Sequence, residues 1–290
     1  MDGITREQTG QTINATASED ALKCLPSLPV RKRFIGDCNH ALLSSRASGA
    51  GNSARLAVYA DSILVSNYLG SGVGGLSFSP RWGLVTPEDI ERVDVMHSPF
   101  SAAYPGNSVG AAVEDVTRMP TKFKAHAGIN QASDSLGNRS GDWSWFINAH
   151  RTDSQGQPLT FPVRLLASGT PGTAGTAVTG AVFERNNANA PWRIPGTGTP
   201  HHTVQDHLKI KLAYDITPTL RAAYPLGTWQ NTAQGRPTSN LRNAAGQAAY
   251  SGPVNIVGRS FSLNGGDFPL TRNSLSHAMH GLCLKRHSLG

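Results

Sequence analysis

The chain has 290 residues, of which 38% are hydrophobic and only 7% aromatic, with 31 Gly and 18 Pro. That balance excludes a compact helical enzyme and suits short strands joined by many turns. The formal net charge is +7, but the basic residues are scattered and no nucleic-acid-binding motif accompanies them.

In chain order, the first seven residues, Met1 to Glu7, are polar and lack the basic and apolar regions of a secretory signal. Thr16-Ala17-Ser18-Glu19 has the spacing of a capping box, with Leu22 and Leu25 on one face of the helix it starts and Pro26 ending it. The run Arg31-Lys32-Arg33 reads as a solvated strand edge or loop. Leu56 to Ala60 and Ile63 to Val65 read as two strands joined by a tight turn at Asp61-Ser62. Thr86-Pro87-Glu88-Asp89 carries helix-start signals: a Thr cap, Pro at the first position and acids in the first turn. Val93 to Met96 then alternates as a strand.

Beyond about residue 121 the texture changes to period two. Trp143, Trp145 and Ile147 fall on one strand face and Ser144, Phe146 and Asn148 on the other. Between His207 and Asp215 the apolar set is Leu208, Ile210, Leu212 and Tyr214, and the polar set His207, Lys209 and Lys211. Ile216 to Thr219 makes a tight turn, and Leu220, Ala222 and Tyr224 begin the return strand. Such segments fit a transmembrane barrel with a polar lumen. They equally fit a soluble antiparallel sheet with one wet face. Residues 168–199 and 231–266 read as long polar loops, extended or disordered.

Few constellations could carry chemistry. Gly106-Asn107-Ser108-Val109-Gly110 matches a nucleophile elbow with Ser108 as nucleophile, but Pro105 precedes it and no helix pattern or partner His follows. The Gly70 to Gly75 run lacks the Lys-Ser/Thr ending of a phosphate loop. His201, His202 and His207 would ligate a metal only if the chain folded back on itself. Cys24, Cys38 and Cys283 show no metal spacing or disulfide framework. The expectation is therefore no enzyme, no cofactor, no metal site and no nucleic-acid partner, with a serine hydrolase using Ser108 as the enzymatic alternative.

The ordered set Ile90-Glu91-Arg92-Val93-Asp94-Val95, Pro99-Phe100-Ser101-Ala102-Ala103-Tyr104-Pro105-Gly106 and Val116-Thr117-Arg118 resembles the end of the plug domain of TonB-dependent outer-membrane receptors. Thr16 to Arg31 is similar to that plug's opening helix, and Val58-Tyr59-Ala60-Asp61 to its hairpin. The resemblance covers about residues 13–120. It implies an α+β plug, a small mixed sheet with short helices, over residues 1–122, followed by antiparallel strands of an incomplete outer-membrane β-barrel over 123–290. Family barrels reach about 22 strands, of which the residues after 122 supply about four to six.

The implied function is uptake of a scarce ligand such as an iron–siderophore, a cobalamin or a glycan. The implied partners are TonB in the full-length protein, an extracellular ligand of unknown identity and outer-membrane lipid. The resemblance places ligand contact in the loops Phe34 to Asn52 and Asn67 to Trp82. It implies a receptor fragment, with a truncated remnant or a plug-only interaction protein as the alternative. Departures from the family pattern are Ser62 in the hairpin, His97-Ser98 before Pro99, Glu114-Asp115 within a strand, and Pro225 within a predicted barrel strand. Asp115 on an apolar face is costly unless paired.

Overall fold

The computed structural model describes residues 2–286 except 26, 34, 38–40, 46–55, 67–71, 74–75, 78, 98–103, 105–107, 109 and 129–131. Strands dominate it, and the chain divides into two compact units. The first comprises residues 1–153, 204–231 and 275–290, the second residues 154–203 and 232–274.

Unit 1 begins with β1 (Asp2–Thr5) and helix α1 (Arg6–Thr12). Its mixed sheet adds β2 (Leu56–Ala60), β3 (Ile63–Leu64), β4 (Ile90–His97) and β5 (Ala111–Thr117), in the order β1-β4-β5-β2-β3. β2 and β5 run parallel with Val58 opposite Val113, and β4 pairs β5 antiparallel with Val95 opposite Val113. These valines, with Ile4, Leu22, Trp82 and Ile90, form the buried apolar core. Between β2 and β3, Asp61 and Ser62 both have positive φ, 50° and 69°, so the hairpin is a mirror-image turn even without glycine.

The second sheet of the chain is antiparallel, built from β6 (Lys124–Gly128), β7 (Ala132–Ser140), β8 (Trp143–Gln155), β9 (His201–Thr217), β10 (Leu220–Gly235) and β11 (Thr271–His280) in that order. β12 (Cys283–Arg286) also pairs β10. The connections β7–β8 and β9–β10 are two-residue turns at Gly141-Asp142 and Pro218-Thr219. The period-two readings at 143–148 and 207–215 lie inside β8 and β9. Pro225 sits within β10 as the sequence indicated.

Several local expectations fail. Thr86 to Asp89 is a turn rather than a helix, because Asp89 accepts from the Thr86 amide at 3.0 Å and Ile90 already enters the sheet. The same cap chemistry closes a turn when tertiary pairing claims the next residue. The helix after Thr16 is a 3-10 helix, Ser18–Cys24. Asp20 and not Glu19 accepts from the Thr16 and Ala17 amides, at 2.9 and 3.1 Å. Helix α1 was not anticipated, although Thr5 and Gln8 form a reciprocal capping box.

The two stretches read as loops are ordered. In unit 2 the strands Thr170–Pro171, Thr176–Val178, Gly252–Ile256 and Arg259–Leu263 form one four-stranded sheet. Thr176–Val178 pairs parallel with Val254–Ile256. Val178, Leu241, Val254, Ile256, Phe261 and Leu263 form its own core, closed by Phe268. Polar composition hid these few apolar residues, six of which are spread over 241–268 and are joined by Val178 from more than sixty positions away.

Phe261→Ala should cost unit 2 about 3–5 kcal/mol, the usual penalty for emptying a buried aromatic site. Hydrogen exchange should accelerate at amides 252–263 and stay unchanged at 90–97 and 111–117. Protection that persists at 252–263 would mean this core does not hold the unit.

Candidate functional site

The alternation of β7 to β10 sorts residues onto two faces, and the sort is the reverse of a soluble sheet. The buried face carries Ser133, Ser144, Asn148, Gln205, His207 and Lys209, among others. The exposed face carries Leu136, Trp143, Ile147, Leu208, Leu212 and Tyr214. On β10 the outward positions are Tyr224, Leu226, Thr228 and Gln230, and Trp229 faces inward. The Trp143 and Tyr214 rings meet at a tilt on that apolar face, their centres 4.8 Å apart.

The polar face meets the mixed sheet. Lys211 Nζ donates to Asp61 Oδ1 at 2.8 Å and to the Thr117 carbonyl and hydroxyl at 3.1 and 3.0 Å. Thr117 in turn donates to Asp61 through its amide, at 3.1 Å, and through its hydroxyl. Lys209, fully buried, sits 3.7 Å from Asp61 Oδ2 and its ammonium makes no hydrogen bond. Cys283 Sγ donates to the Asp61 carbonyl at 3.1 Å. The hairpin that presents Asp61 is thus held by the face it meets.

A second polar cluster forms at the 86–89 turn. Asn148 Nδ2 donates to Thr86 Oγ1 at 2.8 Å and to Asp89 Oδ1 at 2.9 Å. His207 Nε2 donates to the Leu84 carbonyl at 3.3 Å, and His150 Nδ1 lies 3.3 Å from Glu88 Oε2. Between the clusters the Trp229 indole covers Gly83 so closely that a Cβ there would lie 2.3 Å from the ring. His277 stacks with Trp229 at 5.1 Å.

Burial shapes the titration of the small sheet's carboxylates. Asp115 is pushed up to about 8 by desolvation, with the Glu114 charge adding to it. Burial likewise pushes Glu19 up to about 7, against the pull of Lys32. Burial also acts to raise Asp61, but the Lys209 and Lys211 ammoniums outweigh it and hold its carboxyl below the ordinary value. For Asp20, hydrogen bonds from Lys23 and Lys32 overcome desolvation and bring it to about 2.

The basic run at 31–33 is therefore not simply solvated. Lys32 reaches Asp20 at 2.7 Å, and Arg33 forks onto Asp37 at 2.9 Å.

Ser108 is buried, and the chain enters strand at Ala111, without the following helix an elbow needs. Residues 106, 107 and 109 of that motif lie outside the described residues. His207 faces inward on β9, and no group of three or more His, Cys, Asp or Glu among the described residues could hold a metal ion. Cys24 and Cys283 are free thiols, and Cys38 lies outside the described residues. Much of both predicted ligand loops (34, 38–40, 46–52, 67–71, 74, 75 and 78) also lies outside them. Trp82, at the end of the second loop, belongs to the core, its indole donating to the Ala41 carbonyl at 3.1 Å.

No protein-family model matches the chain, and no curated protein does. Solved structures do. The FrpB iron transporter from Neisseria meningitidis, F5-1 variant, superposes with a TM-score of 0.54 at 13% identity, over 100% of this chain and 38% of that one. Its F3-3 variant gives 0.53 at 13%, over 99% and 38%. The ferric enterobactin receptor PfeA from Pseudomonas aeruginosa, in complex with BCV-L6, gives 0.50 at 12%, over 96% and 46%. At such identities the likeness shows the fold, which is that of the TonB-dependent siderophore and iron receptors the sequence resembles. The chain spans less than half the length of each of these structures.

Two outcomes are expected at this seam. Lys211→Met should destabilise the fold by about 3–5 kcal/mol, because it removes the hydrogen-bonded partner of the buried Asp61 carboxylate and leaves only Lys209 at 3.7 Å. The second concerns Asp115, neutral in the fold up to about pH 8 but ionising near 3.8 once unfolded. Its contribution to stability is complete below the lower value and is lost as pH rises through the upper one. Asp115→Asn stays neutral throughout. The Tm of Asp115→Asn minus that of the parent, measured in detergent, should therefore climb between these two pH values and level off above. A difference flat in pH would refute the assignment.

Proposed function

We propose that this chain supplies the plug, residues 1–122, and the first wall strands, residues 123–290, of a TonB-dependent outer-membrane receptor that takes up a scarce extracellular ligand. The observation that carries this reading is the inverted polarity along much of β7 to β9: Leu136, Trp143, Ile147, Leu208 and Leu212 are exposed, while Ser144, Asn148, His207 and Lys209 are buried. Water would penalise that arrangement, whereas a bilayer outside and a polar plug inside stabilise it.

The dimensions agree. From Asp206 to Asp215, β9 runs ten residues, nine steps or about 30 Å of strand at ~3.3 Å per step. A tilt of about 40° reduces this to about 23 Å, close to the ~25 Å apolar band of an outer-membrane barrel. Arg151 and Asp206 pair at 3.0 Å at one margin. Trp143, Tyr214 and Tyr224 form an aromatic girdle towards the other. Barrels of this kind have short periplasmic turns and long extracellular connections. By that rule the turns at 141–142 and 218–219 face the periplasm, and the ordered segments 156–200 and 236–270 face outward.

Those outer segments favour an anionic ligand. In unit 2 the strands Arg164–Leu165, Pro191–Ile194 and Val182–Arg185 form one sheet. Its register puts Arg164, Arg193 and Phe183 opposite one another on one face, with Arg185 beside them. The Arg193 guanidinium lies 4.8 Å from the Phe183 ring centre. Arg164 is paired with Asp267, so Arg193 and Arg185 beside the exposed Phe183 ring are the cations that suit an anionic, aromatic-bearing iron chelate better than a neutral glycan. TonB would act on the plug, whose charged contacts to the wall can exchange for water when it moves.

The membrane reading is tested by refolding the chain into vesicles of brominated lipid. Fluorescence should be quenched through Trp143 and Trp145 and should largely persist in a Trp143→Phe/Trp145→Phe double variant, where the buried Trp82 and Trp229 remain. Leu212→Arg should oppose insertion by about 2–4 kcal/mol. Equal quenching of parent and double variant would sink the proposal.

A further inference from the structure

A cavity of about 220 Å³ opens in unit 1 at the end of the wall nearest the 217–219 turn, and the receptor reading makes no use of it. Three wall strands and the mixed sheet line it. The register of β10 and β12 sets Arg221 directly opposite Lys285 and Ala223 opposite Cys283, so both cations share the face that looks into this space. Like charges directly across a ladder repel. Lys211 and Arg92 add two more cations to the lining.

The carboxylates nearby are already engaged. Asp61 accepts from Lys211 and Thr117. Asp215 takes the Arg221 fork and lies 2.8 Å from Arg139. Asp94 accepts from Arg92 at 2.9 Å. Glu114 accepts the Ser62 amide at 2.6 Å and reaches Lys285 only through the longer-range field. Lys285 has no ion pair among the described residues. The rest of the lining is apolar: Val116, Met119, Ala213, Ala223 and Pro225. Pro225, out of place as a ladder residue, supplies here a rigid wall without an amide donor.

We propose that this cavity binds a small organic anion with an apolar body, a carboxylate of about six to eight carbons, its headgroup between Arg221 and Lys285. The volume is that of roughly seven water molecules at ~30 Å³ each, enough for such a tail but not for a lipid chain. The anion would give Lys285 a counter-charge beside the Asp215-paired Arg221, and its tail would cover Ala223 and Pro225. The inference stands on the geometry of this pocket and does not depend on transport.

The test is titration of the full chain, in nonionic detergent, with sodium hexanoate, followed by ligand-detected NMR. Saturable binding is expected. Lys285→Glu should abolish it and Lys285→Arg should retain it. Lys285 is exposed, so neither change threatens the fold. Ala223→Leu, which fills the cavity, should weaken binding by about fivefold or more, with the near-ultraviolet circular dichroism of the parent retained. Inorganic phosphate should bind more weakly than hexanoate, and hexylamine should not bind. Absence of saturable hexanoate binding, phosphate binding as well as hexanoate, or unaltered binding in Lys285→Glu would each overturn the proposal.

Discussion

A sheet with polar side chains on its buried face is stable only if another surface answers those groups, and in unit 1 that answer centres on Asp61. Lys211 would otherwise be a buried ammonium with no anion, and Asp61 a buried carboxylate with only the more distant Lys209. Either alone costs several kcal/mol, while together, with Thr117 filling the remaining valences, they cost little. The hairpin β2–β3 exists to present this carboxylate, which is why its turn can hold Asp61 and Ser62 at positive φ. Lys209 is the exception to the balance. It shares Asp61 at a longer distance, without a hydrogen bond. The contact therefore holds the two sheets together while remaining less favourable than an apolar core of equal area.

What the sequence made legible follows from how local each signal is. The strands around residues 93–96, 143–148 and 207–215 were visible because side-chain alternation records the environment of each face over a few residues. Which face was wet could not be decided there. It depends on whether Lys209 and Lys211 meet water or a carboxylate about 150 residues away. Asp115 stood out as a carboxylate on an apolar face, and its raised titration bears that cost out. The Thr86 signal was genuine chemistry assigned to the wrong element, since Asp89 caps a turn with the same hydrogen bond that would have capped a helix. The α1 capping box at Thr5 and Gln8 could have been read and was not.

Unit 2 was illegible for a different reason. Its core residues are sparse within polar, glycine-rich sequence, and the first connection contributes only Val178 to a cluster otherwise drawn from 241–268. Arg164, which donates to Asp267 at 2.5 Å and to the Ser262 carbonyl at 2.9 Å, joins the same two connections. No window of ten or twenty residues contains that information.

That joining changes what kind of object the two long connections are. Ordinary surface loops vary independently, gaining or losing residues at little cost. Here the parallel ladder between Thr176–Val178 and Val254–Ile256 interlocks them, so each connection is the template for the other. A one-residue deletion before Val178 would turn its side chain out of the shared core and shift every pairing with 254–256. Drift in length or sequence is thereby constrained to occur in concert. Diversification of these connections must proceed on the side chains that face away from the ladder, such as those of the arginine-bearing sheet, while the backbone stays fixed.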